Sequence, residues 1–119
     1  MAIKTFLIES MHLDRTIMEH GWGNGYVIVP KGHPLHGKHY TDESTWDLDV
    51  SGGITLSESV GSLHSWVHTF DEEDKESWVF GWDTAHYMDT LAKWPKEKVQ
   101  EETDRLAAQI ESYQPPTPQ

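Results

Sequence analysis

The chain of 119 residues contains no cysteine. This absence excludes disulfide bonds, zinc sites built from thiolates and cysteine nucleophiles. No apolar run approaches the roughly 18 residues that a membrane-spanning helix needs. Residues 1–8 carry one lysine and a short apolar run that ends at Glu9, which is unlike a signal peptide. We therefore expect no membrane association and a location in the cytoplasm.

Positive charge is scarce. The chain has nine Lys and Arg and 20 Asp and Glu, which gives a net charge of −11. Residues 1–40 carry four basic and three acidic side chains, whereas residues 41–119 carry five and seventeen. An acidic surface repels the phosphate backbone, so we expect no direct binding of nucleic acid. The charge favours solubility, and the alternative is an acidic mimic of nucleic acid that occupies a nucleic-acid-binding protein.

The chain also lacks a Walker motif, a dinucleotide-binding fingerprint and a nucleophile elbow. No standard motif therefore points to a reaction. A binding protein is favoured over an enzyme on this ground, and no catalytic residue is assigned.

Aromatic residues are present in a pattern that predicts a central strand. Trp78, Phe80 and Trp82 fall on one face at period two, with Val79 and Gly81 on the other. Aromatic and β-branched residues at this spacing suit a half-buried strand.

Acidic residues and a histidine follow this strand at intervals of three: Asp83, His86 and Asp89. In a turn-like segment they can point the same way. Imidazole and carboxylates suit Zn²⁺, Mn²⁺ or Fe²⁺, so a divalent metal is the candidate cofactor, although the default expectation is none. The alternative is structural, with Asp83 capping the following turn and His86 making a hydrogen bond.

A helix is predicted over residues 95–112. Its apolar stripe recurs at three- and four-residue steps, and Pro95 suits a first helical position. We expect the pairs Lys98–Glu102 and Glu101–Arg105 on its surface. The stripe consists of Val99, Thr103, Leu106, Ile110 and Tyr113.

Several strands precede the helix. Residues 3–8, 15–19 and 26–29 are predicted strands, with Asn24-Gly25 as a turn signal inside a hairpin over 15–29 and a helix over 9–20 as the competing interpretation. A strand over residues 48–56 should bend at Gly52-Gly53. The run 71–74 should be a solvated turn, and Trp66 and Phe70 should anchor the polar segment 57–76. The whole predicts one α+β domain over 1–113, an antiparallel sheet of about four to six strands under one C-terminal helix, and a tail over 114–119.

Histidines are concentrated in the irregular segment 30–40, where His33, His36 and His39 accompany two lysines. Protonated below about pH 6.5, they would form a cationic patch that could bind an anion. The alternative is a loop whose imidazoles face water. His33, held between a glycine and a proline, is the one expected to have a fixed role.

A ligand site is predicted where these loops meet at the sheet edge. The glycine pair can let a ligand approach the backbone closely. The predicted ligand-binding residues are His33, Tyr40, Gly52, Gly53, Thr55, Trp82, Asp83 and His86.

Three motifs carry a family resemblance: Gly25-Tyr26-Val27 continuing into VPKGHPLHGKHY at 29–40, DVSGGIT at 49–55, and WVFGWDTAH at 78–86 with Asp89 after it. Together they resemble a family of small uncharacterised proteins encoded by bacteriophages and prophages. Family members often have aspartate at the position of His39 and histidine at that of Ser51. The resemblance implies a phage-associated protein in the host cytoplasm and brings no activity.

Three hypotheses follow. The first is a binding protein for a small ligand, such as a nucleotide signal, or for a host defence protein, with a homo-oligomer left open. The second is a metal-dependent hydrolase that uses Asp83, His86 and Asp89. The third is the acidic mimic.

Overall fold

The computed structural model describes residues 3–10, 20–63, 70–86 and 89–115. In these residues the predicted α+β fold is confirmed: one four-stranded antiparallel sheet lies under one C-terminal helix, in the strand order β1-β2-β4-β3. None of the described helices is long and apolar enough to cross a membrane. The elements are β1 Lys4–Glu9, β2 Gly23–Val29, β3 Leu56–Ser59, β4 Trp78–Trp82 and α1 Lys96–Glu111.

The main core lies between the sheet and α1. The predicted stripe of α1 is buried from Val99 to Ile110, as its helical period requires. It packs on Val27 and Val29 of β2 and on the aromatic face of β4. Pro95 is the residue before the first helical turn, one position earlier than predicted.

The opposite face of the sheet has a smaller core. Phe6, Ile28 and Val79 are buried there, and Phe70 packs edge-on against Phe6 with ring centroids 5.4 Å apart. The predicted anchoring role of Phe70 agrees with this contact. Its predicted companion, Trp66, lies outside the described residues.

The turn predicted at Asn24-Gly25 is wrong. Both residues lie within β2, opposite Ile8 and Leu7 of β1. A Cβ at Gly25 would collide with Thr103 of α1, so the glycine serves close packing between strand and helix instead of a turn. β2 pairs with β1 on one edge and with β4 on the other. The predicted hairpin over 15–29 is therefore also wrong, because neither edge of β2 is left to pair with a strand at 15–19. The competing strand and helix predictions for residues 11–19 lie outside the described residues.

The strand predicted over 48–56 is also wrong for most of its length. The chain turns at Ser51-Gly52, with positive φ at both Gly52 and Gly53, and β3 begins at Leu56. β3 then continues into the polar segment that begins at Ser57. Apolar residues before the turn still reach the core, because Val50 is buried there without strand pairing.

The acid run forms a short 3-10 helix, Glu72–Asp74, whose carboxylates surround a lysine of β1. Lys4 Nζ lies 2.6 Å from Glu73, 2.9 Å from the buried Asp74 and 3.6 Å from Asp71. The hydrogen bonds that Lys4 donates to Glu73 and then to Asp74 raise the pKa of Lys4 above its ordinary value. The run is therefore a tether between the turn and the sheet edge as well as a solvated surface.

Ion pairs on α1 differ in spacing from the prediction. Lys98 pairs with Glu101 at 3.4 Å and Arg105 with Glu102 at 2.7 Å, each three residues apart. The predicted four-residue pairs are replaced by these, and Glu102 also accepts the Ser51 amide at 2.8 Å. The tail prediction is described only as far as Pro115.

Candidate functional site

The predicted carboxylate and histidine residues after β4 lie together. His86 Nδ1 is 3.3 Å from Asp89 Oδ2 and 3.5 Å from Asp83 Oδ1. The His86 amide also donates to Asp89 Oδ2 at 2.9 Å, and the Asp89 amide donates to the His86 carbonyl at 2.9 Å. Asp83 Oδ1 accepts the Ala85 amide at 3.0 Å, so it caps the turn that sequence reasoning gave as the structural alternative.

Gly52 supplies the surface on which the His86 ring lies. A Cβ on Gly52 would collide with three atoms of the His86 ring: Cε1, and Nε2 and Nδ1 at 2.8 Å each. The positive φ of Gly52 fits the same turn. The turn is tied to α1 because Glu102 accepts the Ser51 amide, while Arg105 binds Glu102 and holds the pKa of its carboxyl below the usual range. Gly52, Asp83, His86 and Asp89 therefore form one cluster, which we call the His86 edge.

The His86 ring is oriented so that one nitrogen is available. Ionised carboxylates only accept hydrogen bonds, so Nδ1 is the donor and the neutral ring carries its proton there. No described residue offers a hydrogen bond to Nε2, and the side chain is 39% exposed. The Asp89 side chain, 8% exposed, is shielded from water and fixes the ring. In its neutral form the His86 ring thus offers Nε2 as a hydrogen-bond acceptor, and the buried Asp89 carboxylate orients the ring.

His33 lies at a different place in the fold. Its Nδ1 accepts the Leu35 amide at 3.0 Å, so Nε2 carries the proton that it donates to the Ile110 carbonyl at 2.8 Å. The ring is buried and connects the histidine loop to the last turn of α1. Ile110 is eight residues beyond Glu102, which corresponds to about 12 Å along a helix. His33 has the fixed role that was expected, and this role is structural.

The other two histidines of the loop, His36 and His39, have different contacts. His36 Nε2 lies 2.7 Å from the Glu76 carbonyl, and the exposed His39 ring stacks on Tyr40 with centroids 4.3 Å apart. Tyr40, half-exposed, is in this loop and not at the His86 edge. Its amide donates to Ser57 Oγ at 3.0 Å.

The remaining predicted ligand residues are divided between surface and core. Gly53 and Thr55 are exposed beside the Gly52 turn, and the Thr55 amide donates to the Gly81 carbonyl at 2.8 Å. Trp82 is only 1% exposed, and its indole N–H donates to Thr103 Oγ1 at 2.9 Å inside the core. Their assignment to a ligand site stays a prediction, and the structure brings Gly52, Asp83 and His86 together.

Metal-ligand geometry is most compact elsewhere. In the described part of the chain, the three side chains whose ligand atoms all lie within 4.8 Å of one another are Asp71, Glu73 and Asp74, not the three residues of the His86 edge. Lys4 already donates to Glu73 and Asp74 with its ammonium group. The Lys4 ammonium therefore already lies among the carboxylates where a cation would bind.

Sequence reasoning missed Trp46, which is 70% exposed. Large aromatic residues are usually interior, so the amino-acid pattern favoured a core position. The signal that could have found it is local: Asp42-Glu43-Ser44-Thr45 is a capping sequence, and polar neighbours on both sides leave the indole without a core-facing register.

No protein-family model matches the chain, and no curated protein or solved structure matches it.

Proposed function

We propose that this protein is a non-enzymatic binding protein, associated with a bacteriophage and acting in the host cytoplasm, and that the His86 edge is its ligand site. The resemblance of its three motifs to phage and prophage proteins supports the setting. Two of those motifs, DVSGGIT and WVFGWDTAH, supply Gly52, Asp83 and His86.

The observation that carries the proposal is the orientation of His86. Its Nδ1 is engaged by carboxylates, while Nε2 lies beside Gly52 and has no hydrogen-bond partner among the described residues. A neutral imidazole nitrogen accepts a hydrogen bond, so the ligand would offer an N–H or O–H group. Carboxylates around the ring disfavour a phosphate at this point. A nucleotide would therefore present its base to His86 and direct its phosphates away.

A panel of purine and pyrimidine nucleosides and nucleotides tests the proposal by thermal denaturation. A ligand at 100 times its Kd stabilises the folded state by about 2.7 kcal/mol. We expect at least one compound to raise the melting temperature of the natural chain and of His36→Ala, but not of His86→Ala. His36 is the matched control because its ring bonds to the Glu76 carbonyl, away from the His86 edge. If no compound acts, or if His86→Ala responds like the natural chain, the assignment is wrong.

Metal-dependent hydrolysis is a second candidate. The favourable observation is that His86 Nδ1 lies within 3.5 Å of two carboxylates. A metal would replace the Nδ1 proton, and it would supply Lewis-acid activation of water. Titration with Mn²⁺ or Zn²⁺ should then raise the melting temperature in the natural chain and not in Asp89→Asn. Equal responses from both would remove this candidate.

The acidic mimic is the weakest of the three hypotheses. It requires a contiguous carboxylate surface, whereas described acids divide between separate groups. Asp71, Glu73 and Asp74 surround Lys4, and Asp49 and Glu102 bind Arg105 on α1.

A further inference from the structure

Trp46 is the most exposed large hydrophobic side chain in the described part of the chain, at 70%. It directly follows the short 3-10 helix Glu43–Thr45. A solvent-facing tryptophan forgoes the stabilisation that its burial would give, and tryptophan is enriched at the centres of binding surfaces. The exposed position of Trp46 therefore needs an explanation in terms of contacts at the surface.

The indole is held in place by its own loop. Asp42 Oδ1 accepts the Ser44 amide at 2.9 Å and the Ser44 hydroxyl at 2.6 Å. Thr45 Oγ1 lies 2.9 Å from the Asp42 carbonyl. The indole N–H of Trp46 donates to the Thr41 carbonyl at 3.1 Å. Since the ring is oriented before any contact is made, little entropy is lost when a partner covers it.

Trp46 borders an open groove of about 730 Å³. The groove separates this loop from the segment that follows α1, and its apolar surface comes from Pro34, Tyr113 and Pro115. It lies at the carboxyl end of α1, where His33 also bonds, whereas the turn of the His86 edge is tied to α1 at Glu102, eight residues before Ile110. The groove and the His86 edge are separate surfaces.

The groove carries negative charge. Asp42, Glu43 and Asp47 line it together with one lysine, Lys38. Among the described residues none of the three acids has a salt-bridge partner within 4 Å, unlike the acids around Lys4 and Arg105. The side-chain and backbone hydrogen bonds of Ser44 lower the pKa of Asp42, so it remains an anion at neutral pH.

We propose that this groove docks a cationic peptide segment of a protein partner, with an arginine or lysine side chain over the Trp46 ring and an apolar neighbour against Tyr113. A cation within about 6 Å of an indole centroid is attracted by the ring quadrupole, and arginine favours this geometry. Charge complementarity selects the sign of the partner, and the apolar surface selects against a purely polar chain. This surface is independent of the ligand site proposed at His86.

A capped hexapeptide of alternating arginine and leucine is the probe. Its binding is measured by calorimetry and by the indole N–H signals in a ¹H–¹⁵N spectrum, with the Trp46 signal assigned from Trp46→Phe. We expect saturable binding that shifts the Trp46 signal. Trp46→Ala should weaken binding at least tenfold, and Trp46→Phe less. The double variant Glu43→Gln/Asp47→Asn should weaken it about tenfold, with Asp42 kept because it caps the loop.

A matched double variant, Glu58→Gln/Glu97→Gln, removes two exposed acids outside the groove. It should bind within twofold of the natural chain, and so should His86→Ala, which separates this test from that of the proposed function. Equal weakening by both double variants, or no effect of Trp46→Ala, would reduce the contact to general charge attraction and overturn the proposal. A chain ending at Pro115 that binds tenfold more tightly would make residues 116–119 the occupant instead. A dimer that Trp46→Ala dissociates would make it a second copy.

Discussion

At the scale of single residues, two histidines of this protein have opposite roles. His33 uses both ring nitrogens within the fold, on the Leu35 amide and the Ile110 carbonyl. His86 uses one nitrogen, and the other has no hydrogen-bond partner among the described residues. Sequence reasoning placed both in one site because each lies among glycine and polar residues, where chemistry is common. Only the hydrogen-bond partners of the two rings distinguish their roles, and one partner of His33, the Ile110 carbonyl, is 77 residues away in sequence.

Replacing His33 should destabilise the fold. His33→Ala leaves the buried Leu35 amide without its acceptor and removes one donor from the Ile110 carbonyl, which should cost about 1–2 kcal/mol in the free energy of unfolding. Urea denaturation measures the change. His39→Ala is the control, because His39 is exposed and bonds within its own loop, and its effect should stay within about 0.5 kcal/mol. Equal losses from both variants would contradict the role of His33 as a connection to α1.

At the scale of elements, periodicity predicts correctly what local sequence determines. The period-two aromatic residues of β4 and the three- and four-residue stripe of α1 depend only on which face is buried. The turn at Asn24-Gly25 was wrong because Gly25 is needed for a contact with Thr103, 78 positions along the chain. The bend at Gly52-Gly53 was correctly predicted. Its position before β3, and not inside a strand, was not predicted. No local pattern in the sequence indicates that the His86 ring packs on Gly52.

Gly25→Ala should strongly destabilise the packing of α1 on β2. The added methyl group would overlap Thr103 Oγ1 and lie 2.5 Å from Trp82 Nε1, the two atoms of a buried hydrogen bond. Overpacking of this kind costs about 1–3 kcal/mol. Gly61→Ala is the matched control, because the one described neighbour within 4 Å of an added methyl group is the Lys75 carbonyl, at 3.8 Å. Thermal denaturation should show a large drop for Gly25→Ala alone; similar melting temperatures for the two variants would contradict the packing role.

Glu102 connects two elements, the Ser51 turn and α1, and this connection depends on pH. Its pKa is lowered in the folded state, chiefly by the hydrogen bond from Arg105. A lowered pKa contributes stability above the ordinary value near 4.5, and this stability is lost as the pH falls through the folded-state pKa. Glu102→Gln should therefore destabilise the protein by about 1 kcal/mol at pH 7 and progressively less in acid. The control is Glu101→Gln, whose carboxylate is exposed. A loss that is independent of pH would contradict the linkage.

At the scale of the whole molecule, net charge is the property that the sequence describes best, because it follows from the residue counts alone. The distribution of charge over the surface depends on the fold. Described acids around Lys4 and Arg105 have a salt-bridge partner within the fold, whereas among the described residues those around Trp46 have none. The exposure of Trp46 was not predicted either, since tryptophan is more often interior and only the polar neighbours in its own segment indicate a surface position.

The net charge of −11 predicts that the molecule does not bind duplex DNA. Repulsion between like charges is largest at low ionic strength, where the Debye length is about 30 Å at 0.01 M salt. An electrophoretic shift assay at that salt concentration should show no complex. A complex that disappears with added salt would contradict this expectation, because it would require a cationic surface.

The most direct test of the central claim, that His86 presents an oriented and available nitrogen, is the tautomeric state of the histidine rings. Long-range ¹H–¹⁵N correlation spectra at pH 8, with His33→Ala and His86→Ala used for assignment, report which ring nitrogen carries the proton. We predict that His86 is protonated on Nδ1 with Nε2 bare, and that His33 is protonated on Nε2. An Nε2-protonated His86, or an imidazolium at that pH, would contradict the account, because the site would then present a donor where a ligand's hydrogen bond is to be accepted.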